Sequence, residues 1–198
     1  MQRTDDNFEY IKKKLEAMQI YKTSNGYEYF VYPYKGITPI NDKETEYLAK
    51  VIASKISRNV DLIFTIETDG IFTALPVALL LKKPLVSARL FDYRMAKSFN
   101  FVQSTGYRKR KMYFYFDTKK IKKIAIVDCI LSTGGTIKSV MDLFKKLGVE
   151  IDGVYTVINK LNYSDTEFVN EIEDILFSIF DVEIRDKKIV AGKSRYNK

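Results

Sequence analysis

The segment from residue 124 to 148 constrains the fold most. Ile124-Ala125-Ile126-Val127 is an apolar run that reads as a buried strand ending at Asp128. The short loop Ser132-Thr133-Gly134-Gly135-Thr136 follows, and residues 136–147 read as a helix closed by Gly148. An apolar strand feeding a helix is the building unit of a parallel sheet, because the helix covers the face that the strand leaves bare. At such a junction successive backbone amides and the helix N-terminus point at one spot, which favours an anion. Gly134 and Gly135 let the backbone approach a phosphate closely, and the Thr133 and Thr136 hydroxyls add donors. The same residues also suit an ordinary helix cap. The Gly-Lys-Ser/Thr ending of a Walker loop is missing.

The rest of the chain repeats this alternation. Phe8, Ile11, Leu15 and Met18 fall at helical spacing, so residues 8–21 read as an N-terminal helix. Asn25-Gly26, between Ile20-Tyr21 and Tyr27-Glu28-Tyr29-Phe30-Val31-Tyr32, marks a hairpin turn. Residues 44–56 carry an amphipathic helix, and Leu62-Ile63-Phe64-Thr65-Ile66 a second buried strand. Glu67-Thr68-Asp69-Gly70 then leads into a helix over residues 71–81, and Pro84-Leu85-Val86-Ser87-Ala88-Arg89 reads as a strand. Residues 92–111 are polar and basic without clear period, and read as a long loop, which a compact domain keeps mainly for function. Strands are expected at 112–116, 154–158 and 179–184, a helical stretch at 168–175, and a turn at Asp186-Lys187. The pattern predicts one α/β domain over residues 1–198, with a doubly wound, mostly parallel sheet.

Composition removes several chemistries. The chain has 198 residues, no histidine and one cysteine, Cys129, so His-based zinc sites, the Ser-His-Asp triad and an intrachain disulfide are excluded. No apolar run is long enough to cross a bilayer and no signal core follows Met1, so a cytoplasmic protein is expected. The net charge of +8 suits anionic partners, among them a polyphosphate substrate or nucleic acid. No helix-turn-helix, zinc-finger or RNA-recognition signature is evident, so nucleic acid is the weaker choice.

Val127-Asp128-Cys129-Ile130-Leu131-Ser132-Thr133-Gly134-Gly135-Thr136 resembles the phosphoribosyl-diphosphate motif of type I phosphoribosyltransferases. In that family an acidic pair after the strand binds the ribose hydroxyls, and the Thr-Gly-Gly-Thr loop holds the 5′-phosphate. Ile66-Glu67-Thr68-Asp69-Gly70-Ile71 resembles the pyrophosphate-binding loop of the purine branch. Gln103-Ser104-Thr105-Gly106-Tyr107, with Met112-Tyr113 behind it, looks like the mobile catalytic loop of archaeal purine enzymes, and Tyr29-Phe30-Val31 through Gly36-Ile37-Thr38-Pro39 is similar to their hood.

The resemblance covers most of the chain. It implies a small hood from about residues 1–40 and 160–198, a homodimer, Mg²⁺ carried mainly by the substrate, and transfer of a phosphoribosyl group to a purine base. It assigns Asp128, Thr105 and Tyr107 to catalysis. It assigns Glu67, Thr68, Asp69, Gly70, Arg89, Asp128, Ser132, Thr133, Gly134, Gly135 and Thr136 to phosphoribosyl diphosphate.

The basic run Arg108-Lys109-Arg110-Lys111 would supply donors to pyrophosphate, or be solvated surface. Tyr29, Phe30 and Tyr32 would stack on a base or fill the core, and Phe177 and Phe180 are equally ambiguous. Ser132 stands where 6-oxopurine enzymes often place an Asp near N7 of the base, which leans toward adenine. Three positions depart from the family pattern: Cys129 in place of the second acid, Asp69 where Arg or a small residue is usual, and Leu90 where Lys is usual. These departures also suit a relative that senses a nucleotide or phosphoribosyl diphosphate without turning it over.

Overall fold

The computed structural model of the protein describes residues 2–104, 109–117 and 119–197. Helix α1 (Gln2–Glu16) leads to a hairpin of β1 (Ile20–Lys22) and β2 (Glu28–Phe30), and a 3-10 turn at Pro33–Lys35 leads to α2 (Asp42–Ala53). Then come β3 (Leu62–Ile66), α3 (Asp69–Leu81), β4 (Leu85–Ala88), β5 (Phe99–Ser104), β6 (Lys109–Phe114), β7 (Lys123–Leu131) and α4 (Gly135–Lys146). The chain ends with β8 (Glu150–Lys160), a 3-10 turn at Leu161–Tyr163, α5 (Thr166–Glu171), β9 (Leu176–Arg185) and β10 (Lys188–Lys193).

Among the described residues the main sheet has six strands in the order β10-β9-β8-β7-β3-β4. All its pairings are parallel except β9 with β10. One face buries a core of α1, α2 and α3 residues, including Ile11, Leu15, Leu48, Ile52, Ala74 and Val77. The other buries Ile137, Val140 and Phe144 of α4 with Phe168 and Val169 of α5. This is the doubly wound α/β arrangement expected from the alternation of apolar strands and amphipathic helices.

Several boundaries differ from the sequence-based expectation, each for a pairing reason. Helix α1 stops at Glu16 because Ile20, Tyr21 and Lys22 pair with Phe30, Tyr29 and Glu28. Strand β7 continues past Asp128 to Leu131, since Ile130 and Leu131 still pair with Ile158 and Asn159 of β8.

The expected loop over residues 92–111 is in large part an antiparallel ribbon, in which Phe99 pairs with Phe114 and Ser104 with Lys109. Alternation carries it: Phe101 is 7% exposed and Val102 52%. Phe114 lies 4.9 Å from the Phe64 ring and 5.7 Å from that of Phe144, which fixes the ribbon to the second core. In the C-terminal stretch, residues 176–193 join the main sheet as β9 and β10, and Asp186 and Lys187 turn between them with positive φ. The part that stands over the sheet edge is the β1–β2 hairpin, seated on the 3-10 turn at Leu161–Tyr163: the Glu28 amide donates to the Tyr163 hydroxyl at 3.0 Å.

Candidate active site

The carboxyl ends of β3 and β7 open into a cavity of about 520 Å³, a size suited to a nucleotide-sized ligand. Open α/β sheets place ligands at this edge because loops and helix N-termini converge there. Three loops supply the walls: residues 67–70 after β3, residues 132–136 after β7, and the hairpin with its following turn above them.

The β7–α4 junction is held by backbone geometry. Gly134 caps α4 at φ 78°, a left-handed conformation, and no side chain caps the helix there. The ring of Phe168 lies where a Cβ on Gly134 would go, 2.5 Å from it, so a side chain has no room. The loop's first hydroxyl, Ser132 Oγ, is 2.7 Å from Tyr27 Oη of the hairpin. The Tyr27 ring packs against Tyr163 at 4.5 Å between centroids.

Asp128 sits beneath this loop. Its Oδ1 accepts from the Cys129 amide at 2.7 Å, and a Cβ on Gly70 would come within 2.8 Å of the same oxygen. Gly70 is therefore what lets the first turn of α3 pass beside the carboxylate. Burial pushes the Asp128 pKa up to about 7; the Cys129 amide opposes this, and the negative charge of Asp69 adds to it. Cys129 is 1% exposed in the first core, and burial pushes its thiol well up.

In the loop after β3, Glu67 is committed to its neighbours. Its Oε2 lies 2.7 Å from Arg89 Nε, and its Oε1 accepts from the Leu90 amide. Asp69 Oδ2 lies 2.8 Å from Lys35 Nζ.

The structure thus brings Glu67, Thr68, Asp69, Gly70, Asp128, Ser132, Thr133, Gly134 and Thr136 to one cavity. Gly135 opens α4 just behind it. Arg89 is not part of the wall and is engaged by Glu67. Thr105 and Tyr107, together with Gly106 and Arg108, lie outside the described residues. Of the basic run, Arg110 lines the cavity while Lys109 and Lys111 are exposed on β6. Of the aromatic candidates, Phe30 and Tyr32 are at once cavity wall and buried core, Tyr29 is exposed at the rim, and Phe177 and Phe180 are core only.

Gln103, which opens the segment that resembles a catalytic loop, lines the cavity; sequence reading missed Lys35, Tyr27 and Lys160, which line it too. Lys160, at the end of β8, is 1% exposed and donates to the Glu28 carbonyl. Its ammonium lies 4.2 Å from the centre of the Tyr27 ring and 4.6 Å from that of Tyr163. Burial lowers its pKa to about 8, so it remains largely protonated at neutral pH. The signal was an odd one: a Lys closing the apolar run Val154-Tyr155-Thr156-Val157-Ile158.

Comparison with known proteins agrees with this geometry. Residues 35–188 match the family described as phosphoribosyl transferase domain. An HGPRTase-like protein 1 of Haloquadratum walsbyi is 31% identical over 178 residues, covering 89% of this chain and 92% of that protein. An HGPRTase-like protein 2 of Natrialba magadii is 32% identical over 171 residues, covering 84% and 90%. Among solved structures, adenine phosphoribosyltransferase from Leishmania donovani superposes with a TM-score of 0.67 at 15% identity, covering 96% of this chain and 83% of that one. The enzyme from Thermoanaerobacter pseudethanolicus does so with 0.62 at 21% identity, covering 79% and 91%. With the fold, the glycine-threonine loop and the matched span in agreement, the chain belongs to the phosphoribosyltransferase family, as a type I member of its purine branch.

Proposed function

We propose that the protein transfers the phosphoribosyl group of phosphoribosyl diphosphate to a purine base, giving a nucleoside monophosphate and pyrophosphate. One observation carries this reading: the loop at 132–136, the carboxylate of Asp128 and the loop at 67–70 line a single cavity. The amides and hydroxyls of residues 132–136 take the 5′-phosphate, and Asp128 accepts from a ribose hydroxyl. Residues 67–70, with Arg110, face the leaving pyrophosphate. Thr105 and Tyr107 are proposed to act in the same transfer step.

Among the described residues no group of three or more His, Cys, Asp or Glu side chains is placed to hold a metal ion. Asp69 and Asp128 are hard oxygen donors on the cavity wall, which suits a Mg²⁺ that arrives on the substrate's phosphates and takes one or two carboxylates. Such an ion neutralises charge on the leaving group.

Adenine is the base proposed first, because Ser132 offers a hydroxyl where an oxopurine site would use a carboxylate. Lys160 favours a second reading. An ammonium only donates, and a 6-oxo group accepts where a 6-amino group does not. Steady-state kinetics with adenine, hypoxanthine, guanine and xanthine will separate the two. Turnover with adenine supports the first reading and a preference for hypoxanthine or guanine the second, while no turnover with any purine leaves only a sensing role. In that assay kcat/KM should rise with pH through about 7, as Asp128 of the free enzyme ionises and becomes a better acceptor, and fall again above about 8 with a 6-oxopurine, as Lys160 loses its proton. A flat profile from pH 5 to 9 (spanning about two units either side of the Asp128 value) would remove Asp128 from this role.

The proposal includes a homodimer and a cytoplasmic location. Support for the dimer comes from α3, whose Phe72, Leu75 and Leu79 share one face at helical spacing and are 37%, 46% and 69% exposed. Leu79→Asp should convert a dimer to a monomer in sedimentation velocity, and a wild type already monomeric at micromolar concentration overturns this part. Among the described residues no helix is long and apolar enough to cross a membrane.

A further inference from the structure

The loop between β3 and α3 carries two carboxylates, Glu67 and Asp69, at the place where a diphosphate would have to approach. Two bare acids there would repel it. Each acid is matched by a cation from another element, but the two cations are placed differently. Arg89 lies behind Glu67, outside the cavity wall, whereas Lys35 lines the cavity and meets Asp69 from above.

The turn that carries Lys35 is firmly seated. Tyr34 is buried, and its hydroxyl donates to Glu44 Oε2 at 2.6 Å. Gly36 has φ 71°, and a Cβ there would fall 2.5 Å from the Phe72 ring, so this backbone rests directly on α3. The Lys35 ammonium is placed by the seated turn over the first turn of α3, beside Asp69. Its field reaches across the cavity, lowering the pKa of Asp128, Cys129 and Lys160 alike.

Resting on the function proposed above, we infer that Lys35 binds the pyrophosphate group of phosphoribosyl diphosphate, supplying from the hood the cation that the loop at 67–70 lacks. An ammonium carries three donors, so one Lys35 can hold Asp69 and a phosphate oxygen together. Asp69 then acts as a positioning residue: it keeps the ammonium at the mouth of the loop and offsets its charge while no diphosphate is present.

Calorimetric titration of wild type and Lys35→Met with Mg-pyrophosphate, with Mg-phosphoribosyl diphosphate and with AMP and IMP tests this. The variant should lose about ten- to a hundred-fold in affinity for the two diphosphates, the range of one charge-assisted hydrogen bond, with affinity for the monophosphates unchanged. Lys35→Arg should restore most of the diphosphate affinity. Equal loss for both ligand classes would give Lys35 a purely structural role and overturn the inference, as would unchanged pyrophosphate affinity. Where wild type binds the monophosphate and pyrophosphate but the variant shows no split, only this inference fails; where wild type binds neither, the proposed function fails with it. Should Lys35→Met not fold, Lys35→Gln decides, since it keeps most of the side chain and removes only its charge. It should lose diphosphate affinity with the monophosphates little affected, and an unchanged or equally reduced affinity for both ligand classes overturns the inference.

Discussion

Gly134→Val will abolish binding of phosphoribosyl diphosphate and nucleoside monophosphate, and will also loosen the fold. The first effect follows from the loop itself. Its amides converge only while Gly134 keeps φ 78°, a region that costs an L-residue about 1–2 kcal/mol and a β-branched one more. The second effect is one the sequence does not announce. The new Cβ would lie 2.5 Å from Phe168 Cδ1, and Phe168 is 2% exposed in the core under α4 and α5. Moving a buried ring costs about 1–3 kcal/mol. Titration at a temperature well below the variant's own melting midpoint keeps the two effects apart. A folded Gly134→Val protein with wild-type affinity would move the phosphate site elsewhere and undo the functional reading.

Cys129→Asp is expected to destabilise the protein without improving binding or turnover. A simple reading of the missing second acid suggests the opposite, since a carboxylate would add a ribose contact. The structure decides against it. Cys129 is 1% exposed and packs in the first core with Tyr32, beside an Asp128 whose own pKa already stands at about 7. A second acid there would be buried next to the first, with no cation among the groups that act most strongly on Cys129 except Lys35.

Burying an acid without a good partner costs about 1–3 kcal/mol, which for a chain of this size lowers the melting midpoint by roughly 2–12 °C. The penalty should grow with pH. The acid ionises near its ordinary value of about 4 in the unfolded chain but stays protonated in the folded one, so above that value the unfolded state binds fewer protons and stability falls. Melting curves at pH 5 and pH 8 with kinetics on the same samples read this directly. An equally stable variant with a lower KM for phosphoribosyl diphosphate would show that the ribose contact was simply absent.

The main sheet was legible in the sequence because its central strands are buried on both faces. Leu62–Ile66 is apolar or β-branched throughout, and its bounds were read correctly. The Gly134 loop was legible because a left-handed backbone favours glycine, and the turn at Asp186-Lys187 because charged residues interrupt the apolar pattern there. Of the ribbon only the end of β6 was legible, as the strand expected at 112–116; β5 was missed although Phe99 and Phe101 alternate with Asn100 and Val102, since two apolar core-facing positions in a basic stretch do not outweigh its overall polarity.

By itself the sequence determined the α/β alternation, the glycine-threonine loop after β7 and the place of Asp128 near the end of that strand, because local conformational limits and burial patterns act between near neighbours. Only the tertiary structure decided that Lys35 meets Asp69, that Tyr27 meets Ser132, that Lys160 is buried under two tyrosine rings, and that Arg89 is turned to Glu67. Those partners lie far apart along the chain. A lysine or tyrosine carries no local mark of the charge it will face, so its role is set by which elements the core packs together.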